Sequence, residues 1–328
     1  MAIFSNVKET IFLKNTSSLQ KKYEALDRLN KEYPNNKELL EEFYMVKKGL
    51  YGENSIAYQL EKSNLGLFVL RDINIEYEGL KAQIDFVVVT RCYCYFIECK
   101  NLIGNITVND QGDFIREFTY NGKTVKKGMY SPLRQVEAQR DVYKKIWNNS
   151  LSKNKIFNSI LRIFNEDSFK DIHRVLVVAA NDETILKLKY APSDIKDKVI
   201  KSDRLISKIE SDLNNSDKSE WSSMKDTENW AKTFLNNSIE DNTDYYSYYK
   251  NKYFGKLSDE DLTSRLKDFR VKRAKDMNIK LWYVFNNEEL EKLVKYRPKT
   301  IDELKALNIL KPIRVKTHGE MIIEIINS

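Results

Sequence analysis

The spacing of hydrophobic residues changes twice along the chain, from helical to alternating and back to helical. Residues 16–48 carry a helical pattern that is interrupted at Tyr33-Pro34-Asn35-Asn36, where proline and asparagine favour a turn. A second helix is predicted after Gly52, because Glu53 and Ile56 share one helical face. The first part of the chain therefore predicts helices with one apolar side.

Short strands follow, since β-branched and aromatic residues now alternate between turn residues. Six runs are predicted as strands: Leu67 to Leu70, Gln83 to Val89, Tyr93 to Lys100, Asn105 to Val108, Phe114 to Tyr120 and Lys123 to Lys126. The last two flank Asn121-Gly122, a dipeptide typical of a hairpin turn. Ser131-Pro132 then predicts the start of a helix, and Arg174 to Ala180 predicts a further apolar strand.

This order of elements predicts four parts. We expect an N-terminal helical extension over residues 1–44 and an α/β domain over 45–210, in which helices flank a mixed central sheet. Residues 211–256, rich in Asn, Asp, Ser and Lys, predict a connector with some helix. Its four clustered tyrosines could stack on nucleic-acid bases or anchor a helix. Residues 257–328 return to a helical pattern with short loops and predict a small all-α domain.

Composition and charge fit a soluble protein with an ordinary core. Of the 328 residues, 41% are hydrophobic and 31% are charged, and the longest apolar runs are far too short to span a bilayer. The first residues include Lys8 and Glu9 and no small-residue cleavage site, so we expect a cytoplasmic protein. A net charge of +7 permits a polyanionic partner without requiring one.

Two residue types restrict the possible chemistry. The only histidines are His173 and His318, so phospholipase D-like, HNH and Ser-His-Asp sites lack their motifs. Cys92, Cys94 and Cys99 lie in one strand-like segment without a second cluster, which favours buried small side chains over a zinc site. A P-loop is also absent from the sequence.

Asp85, Glu98 and Lys100 carry the strongest chemical signal. Glu98 and Lys100 share a strand face, since they are two residues apart. If the two strands turn around Arg91-Cys92, Asp85 lies directly opposite Glu98. Carboxylates in apolar strands are costly unless they are paired or bound to a metal, so we expect Asp85 and Glu98 to bind Mg²⁺ or Mn²⁺. Lys100 would position the attacking water or the phosphate; the alternative is a salt bridge at a strand edge.

Five segments occur in a recognisable order: Gly49-Leu-Tyr-Gly52-Glu53, Ile84-Asp85-Phe-Val-Val-Val, Phe96-Ile-Glu98-Cys-Lys100, Gly104-Asn-Ile106 and Ser131-Pro132-Leu-Arg-Gln135. Together they resemble the nuclease-related domain (NERD), a branch of the PD-(D/E)xK nuclease superfamily, over roughly residues 45–150. The resemblance implies a restriction-endonuclease-like core with Asp85 and Glu98 as metal ligands and Lys100 as the catalytic lysine. Ser131 departs from the asparagine that usually precedes this proline.

The resemblance also assigns two flanking residues. It implies that Glu53 is a helical acidic residue facing the site and that Gln135 is a polar residue beside it on another helix. Helical spacing independently places Glu53 on the apolar face of its helix. The alternatives are a carboxylate favoured by a helix N-terminus for Glu53 and a buried, hydrogen-bonded amide for Gln135.

The C-terminal segments Leu266-Lys-Asp-Phe269-Arg270, Tyr283-Val284-Phe285 and Thr300-Ile301-Asp-Glu303-Leu304 are similar to the HRDC domain, the helicase and RNase D C-terminal fold. Thr300 to Glu303 also predicts a capping box, whereas the family's glycine turn is replaced by Leu307-Asn308-Ile309-Leu310. The resemblance implies an auxiliary nucleic-acid-binding or protein-docking module. Five basic residues could neutralise phosphates or form a solvated helix face: Arg265, Arg270, Lys272, Arg273 and Lys275.

These features predict a metal-dependent nuclease, with DNA favoured over RNA and no membrane partner. The alternative is a catalytically inactive nucleic-acid-binding or scaffold protein that keeps the nuclease fold. The first reading is favoured because Asp85, Glu98 and Lys100 are all present, whereas degenerate copies usually lose at least one of the three.

Overall fold

The computed structural model describes residues 9–120, 122–153, 166–255 and 258–327. The chain divides into two compact units, Met1–Thr243 (unit 1) and Asp244–Ser328 (unit 2). Three sequence predictions fall outside the described residues: the start of the chain up to Lys8, Asn121 in the hairpin turn, and Leu257 at the start of the all-α domain.

Unit 1 contains strands and helices in mixed order. Its strands are β1 (Ile11–Lys14), β2 (Phe68–Tyr77), β3 (Leu80–Val89), β4 (Cys94–Lys100), β5 (Asn105–Val108), β6 (Phe114–Tyr120), β7 (Lys123–Met129), β8 (His173–Ala179), β9 (Leu186–Lys187) and β10 (Val199–Lys201). Its helices are α1 (Ser18–Glu32), α2 (Lys37–Glu61), α3 (Pro132–Lys153), α4 (Glu166–Ile172), α5 (Ser193–Lys196), α6 (Leu205–Asn214) and α7 (Met224–Asn236).

Two sheets organise these strands. The larger has the order β1-β2-β3-β4-β8-β10, and the smaller has the order β7-β6-β5-β9. In the larger sheet β2, β3 and β4 are antiparallel, whereas β8 pairs in parallel with both β4 and β10. Helices flank this mixed sheet, which confirms the predicted fold class.

The β3–β4 pairing has the register that the sequence predicted. Val89 pairs with Cys94 and Phe86 pairs with Ile97, so the hairpin is centred on Arg91-Cys92. Extending the same register by one residue sets Asp85 against Glu98. The two carboxylates therefore belong to neighbouring positions on adjacent strands.

Helix α2 corrects one sequence prediction. A separate helix was expected after Gly52, but residues 37–61 form one helix of 25 residues. A Cβ atom at Gly52 would lie 2.7 Å from Asn101 Cβ and 3.1 Å from Cys99 Sγ, so glycine lets α2 approach the end of β4 closely. Glu53 consequently lies deep within the helix, and a favourable N-terminal position does not account for it.

Strand β2 is also longer than predicted. The sequence indicated a strand over Leu67 to Leu70, whereas β2 continues to Tyr77. It joins β3 through Glu78 and Gly79, whose φ angles are 49° and 81°. Two consecutive positive φ angles suit a two-residue hairpin turn, so β2 and β3 form a long ribbon.

Alternating residues of the larger sheet enter two separate cores in unit 1. Phe96 and Val175 pack on one face with Val136 of α3, while Ile97 and Leu176 pack on the other. Burial on both faces explains why the central strands are nearly continuously apolar.

Residues 211–243, predicted as part of a connector, contribute to the first of these cores. Ala231 and Phe234 of α7 are fully buried, and the ring of Phe234 stacks on Tyr143 with centroids 4.1 Å apart. The compact units separate at residues 243 and 244, while the domain limits at 210 and 257 stay predictions.

The regular elements of unit 2 are all helices within its described residues, as predicted. Its helices are α8 (Tyr245–Phe254), α9 (Asp259–Asp276), α10 (Leu281–Val284), α11 (Asn287–Tyr296), α12 (Ile301–Ala306) and α13 (Pro312–Asn327). Leu266, Phe285 and Leu293 are fully buried in its core. Tyr249, one of the clustered tyrosines, is only 3% exposed and anchors α8.

Two turns around α12 have clear causes. The Thr300 hydroxyl accepts from the Glu303 backbone N–H, while the Glu303 carboxylate accepts from the Lys299 N–H instead of completing a capping box with Thr300. Asn308 takes a φ of 47° after α12, which is a conformation that asparagine tolerates better than most residues. Asn308 thus occupies the turn for which the resemblance implied a glycine.

Within the described ranges, we find no helix of sufficient length and apolarity to cross a bilayer.

Candidate active site

The end of β4 carries a carboxylate and an ammonium in direct contact. Lys100 Nζ donates to Glu98 Oε1 over 2.5 Å. The Glu98 side chain is 3% exposed and that of Lys100 is 24% exposed. The pair therefore links a buried carboxylate to a cation that reaches the solvent.

Asp85 lies on β3 beside this pair and is half-buried. Its Oδ2 accepts a hydrogen bond from the Cys99 N–H over 2.7 Å. Burial raises the pKa of Asp85 well above its usual value, and the negative charges of Glu98 and Glu53 raise it further. The Cys99 N–H and Lys100 oppose this rise in pKa without cancelling it, so negative charge at Asp85 is incompletely compensated.

Helix α3 supplies two glutamines, one helical turn apart. Gln135 Oε1 accepts from Lys100 Nζ over 3.1 Å, and Gln139 Nε2 donates to Glu98 Oε2 over 3.0 Å. Gln139 is 7% exposed, and its Oε1 has no hydrogen-bond partner within the described parts of the chain. Sequence analysis missed Gln139, although its position four residues after Gln135 places both amides on one helix face.

Glu53 enters from α2 but has partners of its own. Its Oε2 accepts from Arg71 Nε over 2.9 Å and from Ser17 Oγ over 2.8 Å. The Glu53 and Arg71 side chains are 6% and 7% exposed. Burial raises the pKa of Glu53, while Arg71 and Ser17 lower it. Glu53 thus influences Asp85 through its charge, and its own hydrogen bonds hold β2 and α1.

Asp72, next to Arg71, fixes the start of α1. It has a φ of 56°, which is unusual for a residue other than glycine. Its Oδ2 accepts from the Ser18 N–H over 2.7 Å, and its Oδ1 accepts from Gln83 Nε2 over 2.6 Å. This network, which sequence analysis did not find, fastens α1 beside Glu53.

Oxygen ligands for a cation come from few side chains at this site. No group of three or more Asp, Glu, His or Cys side chains within the described residues is arranged to hold a metal ion. Asp85 and Glu98 form a facing pair of carboxylates. Cys94 is buried in the core, and the three cysteines are free thiols.

The five basic residues predicted to bind nucleic acid all lie on α9 in unit 2, but they do not form one surface. Lys272 and Lys275 are exposed. Arg270 instead donates to Asn287 Oδ1 over 2.9 Å and to the Phe285 carbonyl over 3.3 Å.

Arg273 is half-buried. After the effect of burial, its charge contributes to lowering the pKa of His318. Helical spacing places Arg265 on the same side as Lys272, seven residues later. The structure therefore separates a lysine-bearing side of α9 from two arginines that face the rest of unit 2.

Comparison with known proteins gives two domain families. Residues 48–178 match the nuclease-related domain family, and residues 259–326 match the HRDC domain family. HRDC domain 3 of D. radiodurans RecQ, a solved structure, is 31% identical over 22% of this chain and 93% of that chain, with a TM-score of 0.21. No curated protein gives a significant match. By the two family matches, the chain carries a nuclease-related domain over residues 48–178 in unit 1, followed by an HRDC domain over residues 259–326 in unit 2.

Proposed function

We propose that unit 1 hydrolyses phosphodiester bonds in nucleic acid, with DNA preferred over RNA, in a reaction that requires Mg²⁺ or Mn²⁺. The main support is that Asp85 and Glu98 occupy neighbouring positions on β3 and β4, with the Lys100 ammonium at the end of β4 in contact with Glu98. The match of this region to the nuclease-related domain supports the same reaction class.

Asp85 and Glu98 suit a hard divalent cation. Carboxylate oxygens are its preferred ligands. Burial, and then the negative charges of Glu98 and Glu53, raise the pKa of Asp85, and a bound cation would favour its ionised form. The buried Gln139 Oε1, which accepts no hydrogen bond among the described residues, is a further neutral oxygen next to Glu98. When bound, the cation would lower the pKa of a water and polarise the phosphate.

Lys100 supplies the positive charge of the site. Its ammonium has three N–H donors, and the hydrogen bonds to Glu98 and Gln135 use two of them. The third can donate to a phosphate oxygen or to the attacking water. Gln135 therefore acts as a positioning residue that sets the direction of Lys100.

Two further residues act by positioning. Gln139 donates to Glu98 Oε2 and so fixes the plane of that carboxylate while Lys100 holds the other oxygen. Glu53 accepts hydrogen bonds from Arg71 and Ser17 and so holds α2 and β2 in position beside the site. A shift of about 1 Å in such a support can cost roughly 10²-fold in rate.

Unit 2 would bind nucleic acid through contacts between its basic side chains and the phosphate backbone. The exposed Lys272 and Lys275, with Arg265 on the same side of α9, can neutralise phosphates without reading base sequence. Arg270 is assigned a structural role, because its guanidinium donates to Asn287 and lies 5.5 Å from the Phe285 ring centroid.

The direct test is cleavage of plasmid DNA, linear DNA and RNA with Mn²⁺, Mg²⁺ or EDTA. Wild-type protein should cleave only with a divalent cation, and Asp85→Asn and Lys100→Met should lose cleavage. Binding of Mn²⁺, followed by its paramagnetic resonance signal, should weaken in Asp85→Asn and persist in Lys100→Met. Cleavage that persists in both variants would overturn the site. A wild-type protein that binds nucleic acid but cleaves none would support the inactive binding or scaffold alternative.

A further inference from the structure

The chain leaves the candidate site at Lys100 and returns to it at Gln135. Between them, β6 and β7 pair from Phe114 with Met129 to Tyr120 with Lys123. Because Lys100 Nζ and Gln135 Oε1 are 3.1 Å apart, both ends of the segment from Lys100 to Gln135 lie at the site. The ribbon therefore belongs to a segment of the chain that begins and ends at the site.

The two faces of the ribbon differ in charge. Successive residues of a strand point to opposite faces, and Arg116 pairs with Lys127 while Phe118 pairs with Val125. We call the face with Arg116, Phe118, Lys123, Val125 and Lys127 the cationic face. It contains three basic residues and no acidic residue.

On the opposite face, the two charged residues of the ribbon, Glu117 and Lys126, offset each other. Glu117 pairs with Lys126 across the ribbon, and its carboxylate lies 3.3 Å from Lys126 Nζ and 3.8 Å from Lys187 Nζ. Such pairing leaves little net field on that side. In the described parts of the chain, Lys123 and Lys127 have no ion pair, so the positive field of the ribbon is directed to one face.

The cationic face continues the side of the smaller sheet that packs on α3. Val108 and Phe114, which precede it on this side, are buried in one core with Leu133 and Val136 of α3. Gln135 lies between these two α3 residues in sequence. The cationic face thus extends outward from the helix turn that carries a residue of the site.

One basic residue of the cationic face is already fixed in place. Arg116 Nε donates to the Ile103 carbonyl over 2.9 Å, and its Cζ lies 4.7 Å from the Phe118 ring centroid. Lys123 and Lys127 are exposed on β7, which is an edge strand of the smaller sheet. The cationic face therefore combines a held guanidinium with two solvated ammonium groups.

We propose that the cationic face binds the phosphate backbone of the nucleic acid whose scissile phosphate lies at Lys100. The proposal takes its partner from the function proposed above. The Arg116–Lys127 pair and Lys123 are four residues apart along the ribbon, which is about 13 Å and long enough to contact more than one phosphate. Contacts of this kind are independent of base sequence and weaken as salt rises.

A lysine footprint on the full chain tests this directly. The protein is acetylated with and without a short DNA duplex in EDTA, and modified lysines are measured by mass spectrometry. DNA should protect Lys123 and Lys127, whereas Lys126, on the same strand but the opposite face, should keep its reactivity. Equal protection of all three would overturn the proposal. So would protection confined to Lys272 and Lys275, which would place DNA on unit 2 alone.

Neighbouring alanine variants give a quantitative test. Lys127→Ala should reduce the slope of log affinity against log salt by about 0.9, the value for one phosphate contact, and Lys126→Ala should leave the slope unchanged. Both positions are exposed, so both variants should match wild-type circular dichroism and thermal midpoint. Equal slopes in the two variants would refute the ribbon contact.

The outcome is separable from that of the nuclease proposal. Binding in EDTA requires no turnover. If the salt slope changes in Lys127→Ala only, and wild-type protein cleaves no nucleic acid with Mn²⁺ or Mg²⁺, only the nuclease activity is refuted. Cleavage by wild type with equal slopes in both variants would refute only the ribbon contact. Absence of any DNA binding would refute the ribbon proposal as well.

Discussion

Unit 1 has two neighbouring groups of acidic side chains, Glu53 in one and Asp85 with Glu98 in the other, and their surroundings differ. Glu53 has a cation of its own, because Arg71 reaches its Oε2 through both Nε and Nη2 at 2.9 Å. Among the described residues, Asp85 and Glu98 have one ammonium group beside them, that of Lys100, which contacts Glu98. The carboxylate of Asp85 accepts a hydrogen bond from the Cys99 N–H.

The difference separates a structural carboxylate from a chemically available pair. A buried ion pair is internally neutral, and removing one partner is costly because it leaves an uncompensated charge. Two carboxylates with one cation keep excess negative charge, which raises a pKa and attracts a further cation. We therefore expect the Glu53–Arg71 pair to contribute to stability and Asp85 to contribute to function.

The largest effect should be the loss of nucleic-acid cleavage when Asp85 is replaced. Asp85→Asn should lower kcat/KM at least about 10³-fold, because it removes a proposed metal ligand and its charge. Stability should be retained or increased, since a destabilising negative charge is lost. The measurement is cleavage kinetics with denaturant unfolding of the same sample. A variant that unfolds more easily than wild type would remove the distinction between the two regions.

The next effect should be on stability at Arg71. Arg71→Met leaves Glu53 buried without its cation and should lower the free energy of unfolding by about 3–5 kcal/mol. The double variant Arg71→Met with Glu53→Gln should recover much of this loss, because the orphaned charge is also removed. Guanidinium titrations of the three proteins give the coupling energy. Additive losses would show that Glu53 and Arg71 do not act as a pair.

A smaller loss of activity is expected at Gln139. Gln139→Leu removes the donor to Glu98 Oε2 and should lower metal affinity and cleavage about 10–100-fold, the usual range for a residue that orients a ligand. Gln139→Glu serves as the contrasting variant, since it places a further carboxylate beside Glu98. Metal titrations of cleavage check both. If Gln139→Leu cleaves at the wild-type rate and metal dependence, Gln139 has no positioning role.

The smallest effect concerns pH in EDTA. Burial, and then Glu98, raise the pKa of Asp85, so the folded state binds its proton more tightly than the unfolded state. Stability from this group should therefore fall as pH rises from about 4 towards the raised pKa, by at most about 1.4 kcal/mol per pH unit. Unfolding titrations across this range should show a shallower decline in Asp85→Asn than in wild type. If the two proteins lose stability equally over this pH range, the pKa of Asp85 is not raised in the folded state.

The strand part of the site was predictable because its register depends on local sequence. The turn around Arg91-Cys92 and the period of two along a strand suffice to set Asp85 against Glu98. The start of α3 was equally accessible, since Ser131 and Pro132 are favoured at a helix N-terminus, and α3 does begin at Pro132.

The contacts that α2 makes near the site could not be predicted from the sequence in the same way. Gly52 suggests a helix break, and only the approach of Asn101 and Cys99 shows why glycine is needed inside α2. The Arg71–Glu53 pair joins α2 to a part of β2 beyond the predicted strand end. Unlike a hairpin turn, no spacing rule connects a helix to a strand that it does not directly adjoin, so these contacts required the tertiary structure.

The parallel pairing of β4 with β8 has a consequence for the order of folding. Glu98 pairs with Val177 and Lys100 with Ala179, yet residues 101–172 lie between the two strands. During synthesis β4 emerges well before β8 and is then an edge strand with unpaired backbone groups, a state prone to intermolecular pairing. A nascent chain that pauses before His173 thus exposes β4, which carries Glu98 and Lys100. Its tendency to aggregate depends on how soon β8 is synthesised and pairs with β4.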